Sequence, residues 1–435
     1  MRLRNFLEID FILLLAVLSL VAIGVLFIYS SGITSEGLLI SNEYIRQIVW
    51  ASAGLVFVMV VSMLNYRRLY DFTIYFYLGT IALLVLTFVL GRVIYGGRWL
   101  RIGSFGIQAS EFTKITSILF LAWYLDSTRR NQKDMIRFIV SCAIIMIPMI
   151  IVVIQPDLGT ALVFVPILLG MTFIAGISLR YIFFYGLTAV FSGVLLVLPI
   201  WQSSLMNNAF PILMMLVNSR FIAVSCLTLS LIVIIAWLGN RRYQKQYFYW
   251  IRYGACIIIL ALGISFIAQK VLKPYQIMRL IVFLNPNIDP QGSGWHIIQS
   301  ITAIGSGGVA GKGYLQGTQS HYRYLPEQST DFIFSILSEE WGFIGGIIVF
   351  ALFIIVLLRL IRIMQLSNDS FGSFIIAGLV SMFAFHFFVN VGMTMGIMPI
   401  TGIPLMFVSY GGSALLSSMA GIGLALSVHV RRFIR

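Results

Sequence analysis

Long apolar runs recur from one end of this chain to the other, each bounded by charge, glycine or proline. About 20 apolar residues in a helix cross the roughly 30 Å hydrocarbon core of a bilayer with every backbone hydrogen bond satisfied internally. On that rule the pattern predicts about twelve helices. They lie near 10–31, 47–64, 72–91, 111–127, 137–154, 158–177, 181–200, 219–238, 252–270, 332–358, 372–395 and 404–430. The fourth is short and carries Glu111 and Lys114 near its start. The first run is too long for the apolar core of a signal peptide and more spans follow it, so it reads as an uncleaved helix. The predicted fold is all-α: a polytopic integral membrane helical bundle, one membrane domain over residues 1–435. Two connections stand out from its short turns, 92–114 and the longer 271–331.

Composition agrees with a bilayer as solvent: 60% of residues are hydrophobic and 10% charged, with mean hydropathy +0.98. The net charge of +14 does not point to nucleic acid, because Lys and Arg sit between apolar runs and form no continuous basic stripe. Instead the charges fix topology. With both termini cytoplasmic, 18 of the 29 basic residues fall on the inner side, as the positive-inside rule requires. Most of the rest gather in the two long connections, which are then outside. Anionic headgroups and anionic lipid-linked substrates are the expected partners. Cys142, Cys226 and Cys256 lie in apolar stretches and read as small core residues.

The first outer loop contains Gly97-Arg-Trp-Leu-Arg101, then Glu111 and Lys114. Trp99 between Arg98 and Arg101 suits an interfacial anchor with snorkelling arginines, or a cationic aromatic rim for a sugar diphosphate. Glu111 and Lys114 stand at i, i+3 on one helix face, and charges at membrane depth face cavities. The second loop is too long for a mere connector. It carries Arg279, Lys312 and Glu327, and eight glycines between Gly292 and Gly317. Glycines let backbone N–H groups cradle an anion, with Lys312 adding a point charge, but tight re-entrant turns need glycine too. It is not a Walker A loop, since Gly313 stands where Ser or Thr is required. Asp331, after Leu325-Pro-Glu-Gln-Ser-Thr330, has two readings: a helix N-cap, or a general base at the membrane edge. Glu339 and Glu340 follow inside an apolar run, where a carboxylate pair is costly. Gln155-Pro-Asp-Leu-Gly-Thr160, His386 with Asn390, Thr401-Gly-Ile-Pro-Leu405 and Ser409-Tyr-Gly-Gly-Ser413 interrupt other spans. Each reads first as structural, through interhelical hydrogen bonds or backbone breaks lining a cavity.

These clusters, in this order, resemble the SEDS family of cell-wall polymerases, most closely its RodA branch. The matching residues include Gly97-Arg-Trp99, Ser110-Glu111 with Lys114, Gln155 to Thr160, Tyr275-Gln276 with Arg279, and Asp289-Pro290. They continue through Gly311-Lys-Gly313, Leu325-Pro-Glu327, Thr330-Asp-Phe-Ile-Phe334, Glu339-Glu340, Asn390, Thr401 to Leu405 and Ser409 to Gly412. The resemblance implies a peptidoglycan glycosyltransferase that polymerises lipid II on the outer face of the cytoplasmic membrane during cell elongation. It implies Asp331 as the catalytic base, with Arg98, Trp99, Arg101, Glu111, Lys114, Arg279, Lys312 and Glu327 binding substrate. A divalent cation, Mg or Mn, is a candidate helper at the diphosphate. Implied partners are a class B penicillin-binding protein and other membrane proteins of the elongation complex. A lipid II flippase, the division polymerase of the same family, and a noncatalytic scaffold are the competing readings. The sequence departs from the family pattern at Pro274, Ile277, Trp295, Ser329 and Met406, and Ile277 removes an arginine from the Arg279 stretch. A helix pair near 181–238 is additional to the usual ten spans; being a pair, it keeps the second loop outside.

Overall fold

The computed structural model describes residues 9–94, 98–102, 105–205, 218–272, 274–290 and 292–432. Its helices are α1 (Phe11–Ser31), α2 (Glu43–Met63), α3 (Thr73–Ile94), α4 (Ala109–Ser127), α5 (Asp134–Ile154), α6 (Leu158–Ile174) and α7 (Leu179–Leu205). They continue with α8 (Ser219–Tyr243), α9 (Gln246–Val271), α10 (Pro274–Leu284), α11 (Ser293–Ser306), α12 (Ile333–Leu366), α13 (Ser370–Thr394) and α14 (Gly412–Val430). A two-stranded antiparallel hairpin, β1 (Trp99–Ile102) and β2 (Phe105–Gln108), precedes α4.

All twelve predicted spans are helical, and ten helices among the described residues are long and apolar enough to cross a membrane. The two that fall short are α4 and α6. The first carries Glu111 and Lys114 in its opening turns, and the second is a 17-residue helix. Both are well buried among other helices, so neither needs a fully apolar surface. The chain is a multi-pass membrane protein.

Two compact units emerge: one of residues 1–177 and 296–435, the other of 178–295. In the first, α14 lies along α2, α12 along α1 and α13, and α13 along α4 and α6. Small residues let these helices approach, as packing between helices in lipid requires. Gly24 of α1 is one such point: a Cβ there would collide with the backbone carbonyl of Val408. The irregular segment 395–411 thereby rests directly against α1. Asp10 caps α1 by accepting from the Leu13 N–H (3.1 Å) and receives the Arg359 guanidinium (2.6 Å), so that charge pair closes one end of the α1–α12 contact.

The second unit consists of α7 to α10, with α9 against both α7 and α8, and α10 against α7. Its α7 and α8 occupy the region 181–238. The faces of α8 that meet no neighbour are apolar, with Leu227, Leu231 and Ile235 exposed, as expected of a helix bathed in lipid.

Residues 271–331 are not an irregular loop. They contain α10, α11 and a compact glycine-rich turn, and the boundary between the units falls within them.

Candidate functional site

A cavity of about 820 Å³ opens in the first unit, walled by the start of α2, the β1–β2 hairpin, the α5–α6 turn, the segment before α12 and the segment before α14. Asp331 lies on its wall. Helix α12 begins two residues later at Ile333, and Phe332, at its cap position, makes no side-chain cap hydrogen bond. Asp331 stands two residues before the helix start, on the cavity wall.

The backbone around Asp331 is fixed from three sides. The Asn390 amide donates to the Asp331 carbonyl (3.0 Å) and to the Ile403 carbonyl (2.8 Å), joining the two segments. Ser409 Oγ donates to the Thr330 carbonyl (2.6 Å), and the Tyr410 N–H donates to the Ser329 carbonyl (2.8 Å). The Asp331 N–H donates to the Glu327 carbonyl (3.1 Å), closing a turn in which Glu327 adopts φ 47°. Asn390, Ser409 and Tyr410 thus explain two clusters that read as structural breaks in the sequence: they hold the loop that carries the aspartate.

Opposite, Arg98 Nε donates to the Gln155 carbonyl (2.9 Å), and its Nη2 donates to the Pro156 carbonyl. Both partners are neutral, so the guanidinium keeps its full charge at the cavity wall. Trp99 lies over Gly106 across the hairpin and is part exposed, placing an aromatic face beside that charge. Asp157 caps α6 through Thr160 and accepts from the Gln108 amide (2.7 Å), tying hairpin to turn.

Glu111 reaches the cavity from α4, while Lys114 is fully buried behind it. Lys114 Nζ contacts Glu111 (2.9 Å) and His386 Nε2 (3.1 Å). His386 Nδ1 faces the Pro404 carbonyl (3.1 Å), which can only accept, so Nδ1 carries the proton and Nε2 accepts from Lys114. The ammonium thereby links Glu111 to His386 and, through it, to the 401–405 segment.

The remaining expected residues distribute differently. Glu327 lines the cavity. Arg101 has its backbone in β1, and its side chain lies outside the described residues. Arg279 belongs to α10 in the other unit. Lys312 is not at the cavity wall: its ammonium is bonded to Glu339 (2.7 Å) and Thr318 Oγ1 (2.7 Å). The glycine run around it wraps the first turns of α12. Gly311 and Gly342 take φ 80° and 63°, and a Cβ at Gly311 would collide with the Glu340 carbonyl. Buried Glu339 accepts from the backbone N–H groups of Gln319 (2.9 Å) and Ser320 (3.3 Å). Buried Glu340 accepts from the Leu315 N–H (3.1 Å) and from Ser30. Burial and the nearby Glu340 carboxylate push the Tyr314 hydroxyl, beside this cluster, up to about 12.

Two residues that sequence reasoning passed over, Glu43 and Arg46, join Trp50 on the cavity wall from the first turns of α2. Their i, i+3 and i+4 spacing puts all three on one helix face. Charges at a span's end look like interfacial anchors, so the pattern gave no distinct signal. Among the described residues no group of three or more His, Cys, Asp or Glu side chains stands close enough to hold a metal ion. The residues present do not form a cage for the divalent cation that the resemblance names.

The family model described as cell cycle protein, covering FtsW, RodA and SpoVE, matches residues 11–208 and 210–433. The chain is 48% identical to the peptidoglycan glycosyltransferase RodA of Treponema pallidum over 99% of its own length and 100% of that protein. It is 31% identical to the peptidoglycan glycosyltransferase MrdB of Escherichia coli K12, over 98% of this chain and 94% of the other. Among solved structures it resembles a chain of a peptidoglycan synthase complex that coordinates polymerization and crosslinking. That match has TM-score 0.67 and 26% identity, covering 98% and 99% of the two chains. The rod shape determining protein RodA of Thermus thermophilus has the same fold, with TM-score 0.61 and 23% identity over 99% of this chain and 100% of that one. From its first helix to its last, this chain belongs to the cell cycle protein family of FtsW, RodA and SpoVE.

Proposed function

We propose that this chain is a peptidoglycan glycosyltransferase of the RodA kind, polymerising lipid II on the outer face of the cytoplasmic membrane. The observation that carries the reading is the position of Asp331: on a cavity wall, beside a helix start, on a backbone clamped by Asn390 and Ser409. Asp331 takes the proton of the acceptor's sugar 4-hydroxyl. The oxygen forms a bond to the anomeric carbon of the donor from the face opposite the diphosphate. The bond from that carbon to the diphosphate oxygen breaks, with inversion, and the polyprenyl diphosphate leaves with the electron pair. Negative charge grows on that oxygen, and preorganised cations lower the barrier most where charge develops. Arg98 and Arg46 are the guanidiniums on the wall. Trp99 gives a sugar ring an apolar face, and Glu111 and Glu327 accept from its hydroxyls. No step is assigned to a metal.

The flippase reading is disfavoured by where the lining lies. Residues 43–50, 98–111, 157–160, 327–331 and 402–414 all fall at helix ends that the charge pattern puts outside. A flippase needs polar groups along the whole path. A class B penicillin-binding protein, the partner type that the resemblance implies, would crosslink the strands. The test is to supply lipid II to the purified chain with such a partner, its transpeptidase inactivated. Glycan strands are expected, and their absence alongside lipid II transport between leaflets would reverse the assignment.

A further inference from the structure

A second cavity of about 700 Å³ adjoins the first, and Glu43, Arg46 and Glu327 line both. Its other wall is the segment before α12, including Arg323 and Gln328. Three features separate it from an incidental groove. Its charged lining is balanced, Arg46 and Arg323 against Glu43 and Glu327. Gln328 has a buried Oε1 with no hydrogen-bond partner, a costly arrangement unless something completes it. Finally, Arg323 and Glu327 both hold positive φ, 56° and 47°, a region that non-glycine residues rarely adopt. Such conformations persist where surroundings over-determine them and gather at ligand-binding segments.

Size is consistent with a second site beside the first. A pocket of roughly 300–1,000 Å³ encloses one drug-sized ligand. The catalytic cavity, at about 820 Å³, cannot enclose two disaccharide-peptides, yet the proposed reaction joins two. We propose that the second cavity receives the stem peptide of one of the two glycan substrates, with Arg323 binding a carboxylate and Gln328 the backbone amides. This rests on the glycosyltransferase reading above. A stem peptide carries carboxylates and an amine, matching a lining that offers both guanidinium and carboxylate groups. The terminal amide torsion of Gln328 is soft and roughly two-fold, so its unpaired acceptor turns towards a peptide N–H at little cost.

The experiment compares polymerisation of two lipid II preparations, one with free stem-peptide carboxylates and one with those carboxylates amidated. The parent should prefer the free acid by about tenfold in kcat/KM, the worth of one charge-assisted contact. Arg323→Gln should abolish that preference while still polymerising the amidated substrate, and Arg323→Lys should keep part of it. Equal rates of the parent on both substrates contradict the proposal, even if Arg323→Gln fails to fold. So does a preference that survives Arg323→Gln. A parent that makes no polymer from either substrate instead overturns the glycosyltransferase reading.

Discussion

Asp331 stands out in the sequence because a carboxylate just before a long apolar run has few explanations; in the structure it lies on the cavity wall, two residues before α12 begins. What the sequence hid is how the aspartate is held. Asn390 is more than fifty positions away in the chain, and only the fold brings its amide to the Asp331 carbonyl. Replacing it removes two hydrogen bonds that pin the reacting loop, and misplacement by about 1 Å costs on the order of 100-fold in rate. Asn390→Ala is therefore expected to lower kcat by about 10- to 100-fold while changing lipid II affinity little. Steady-state polymerisation and a direct binding measurement check the split. A loss confined to affinity would place Asn390 in substrate binding instead. Lys312 teaches the opposite lesson: a lysine between glycines resembles a phosphate ligand, yet Glu339, far along the sequence, claims its charge.

The spans were readable because 3.6-residue geometry and hydrocarbon thickness leave the chain little choice. The long connection was not. Its glycines satisfy two physical demands equally well, anion binding and close backbone approach, and periodicity cannot tell them apart. In the structure close approach wins: Gly311 lies against the Glu340 carbonyl where α12 is broken at Gly342. Gly311→Ala should then cost at least about 1–2 kcal/mol from the left-handed backbone alone, with the collision added. A lowered thermal midpoint in detergent, without a change in the salt or phosphate dependence of activity, is the expected result. An unchanged midpoint with weakened phosphate inhibition would restore the anion cradle.

For the molecule as a whole, the distribution of Lys and Arg predicts which end of the bundle is outside. With Cys142, Cys226 and Cys256 replaced, Gln328→Cys should react with a membrane-impermeant maleimide added to intact cells. Arg130→Cys should react only after permeabilisation. The reverse pattern would invert the topology and put the cavity on the inner face. The division into two units was only partly visible beforehand, as an additional helix pair near 181–238, because unit boundaries depend on which helices touch.

All of these rest on Asp331 acting as the base. The most direct measurement compares Asp331→Asn with the parent in the presence of the inactivated transpeptidase partner, following both lipid II binding and strand formation. Asparagine keeps the shape and loses the ability to accept a proton. Binding should stay within about threefold while polymerisation falls by at least about 100-fold, the lower end of the range for general-base catalysis. Polymerisation by Asp331→Asn at the parent's rate would contradict the account.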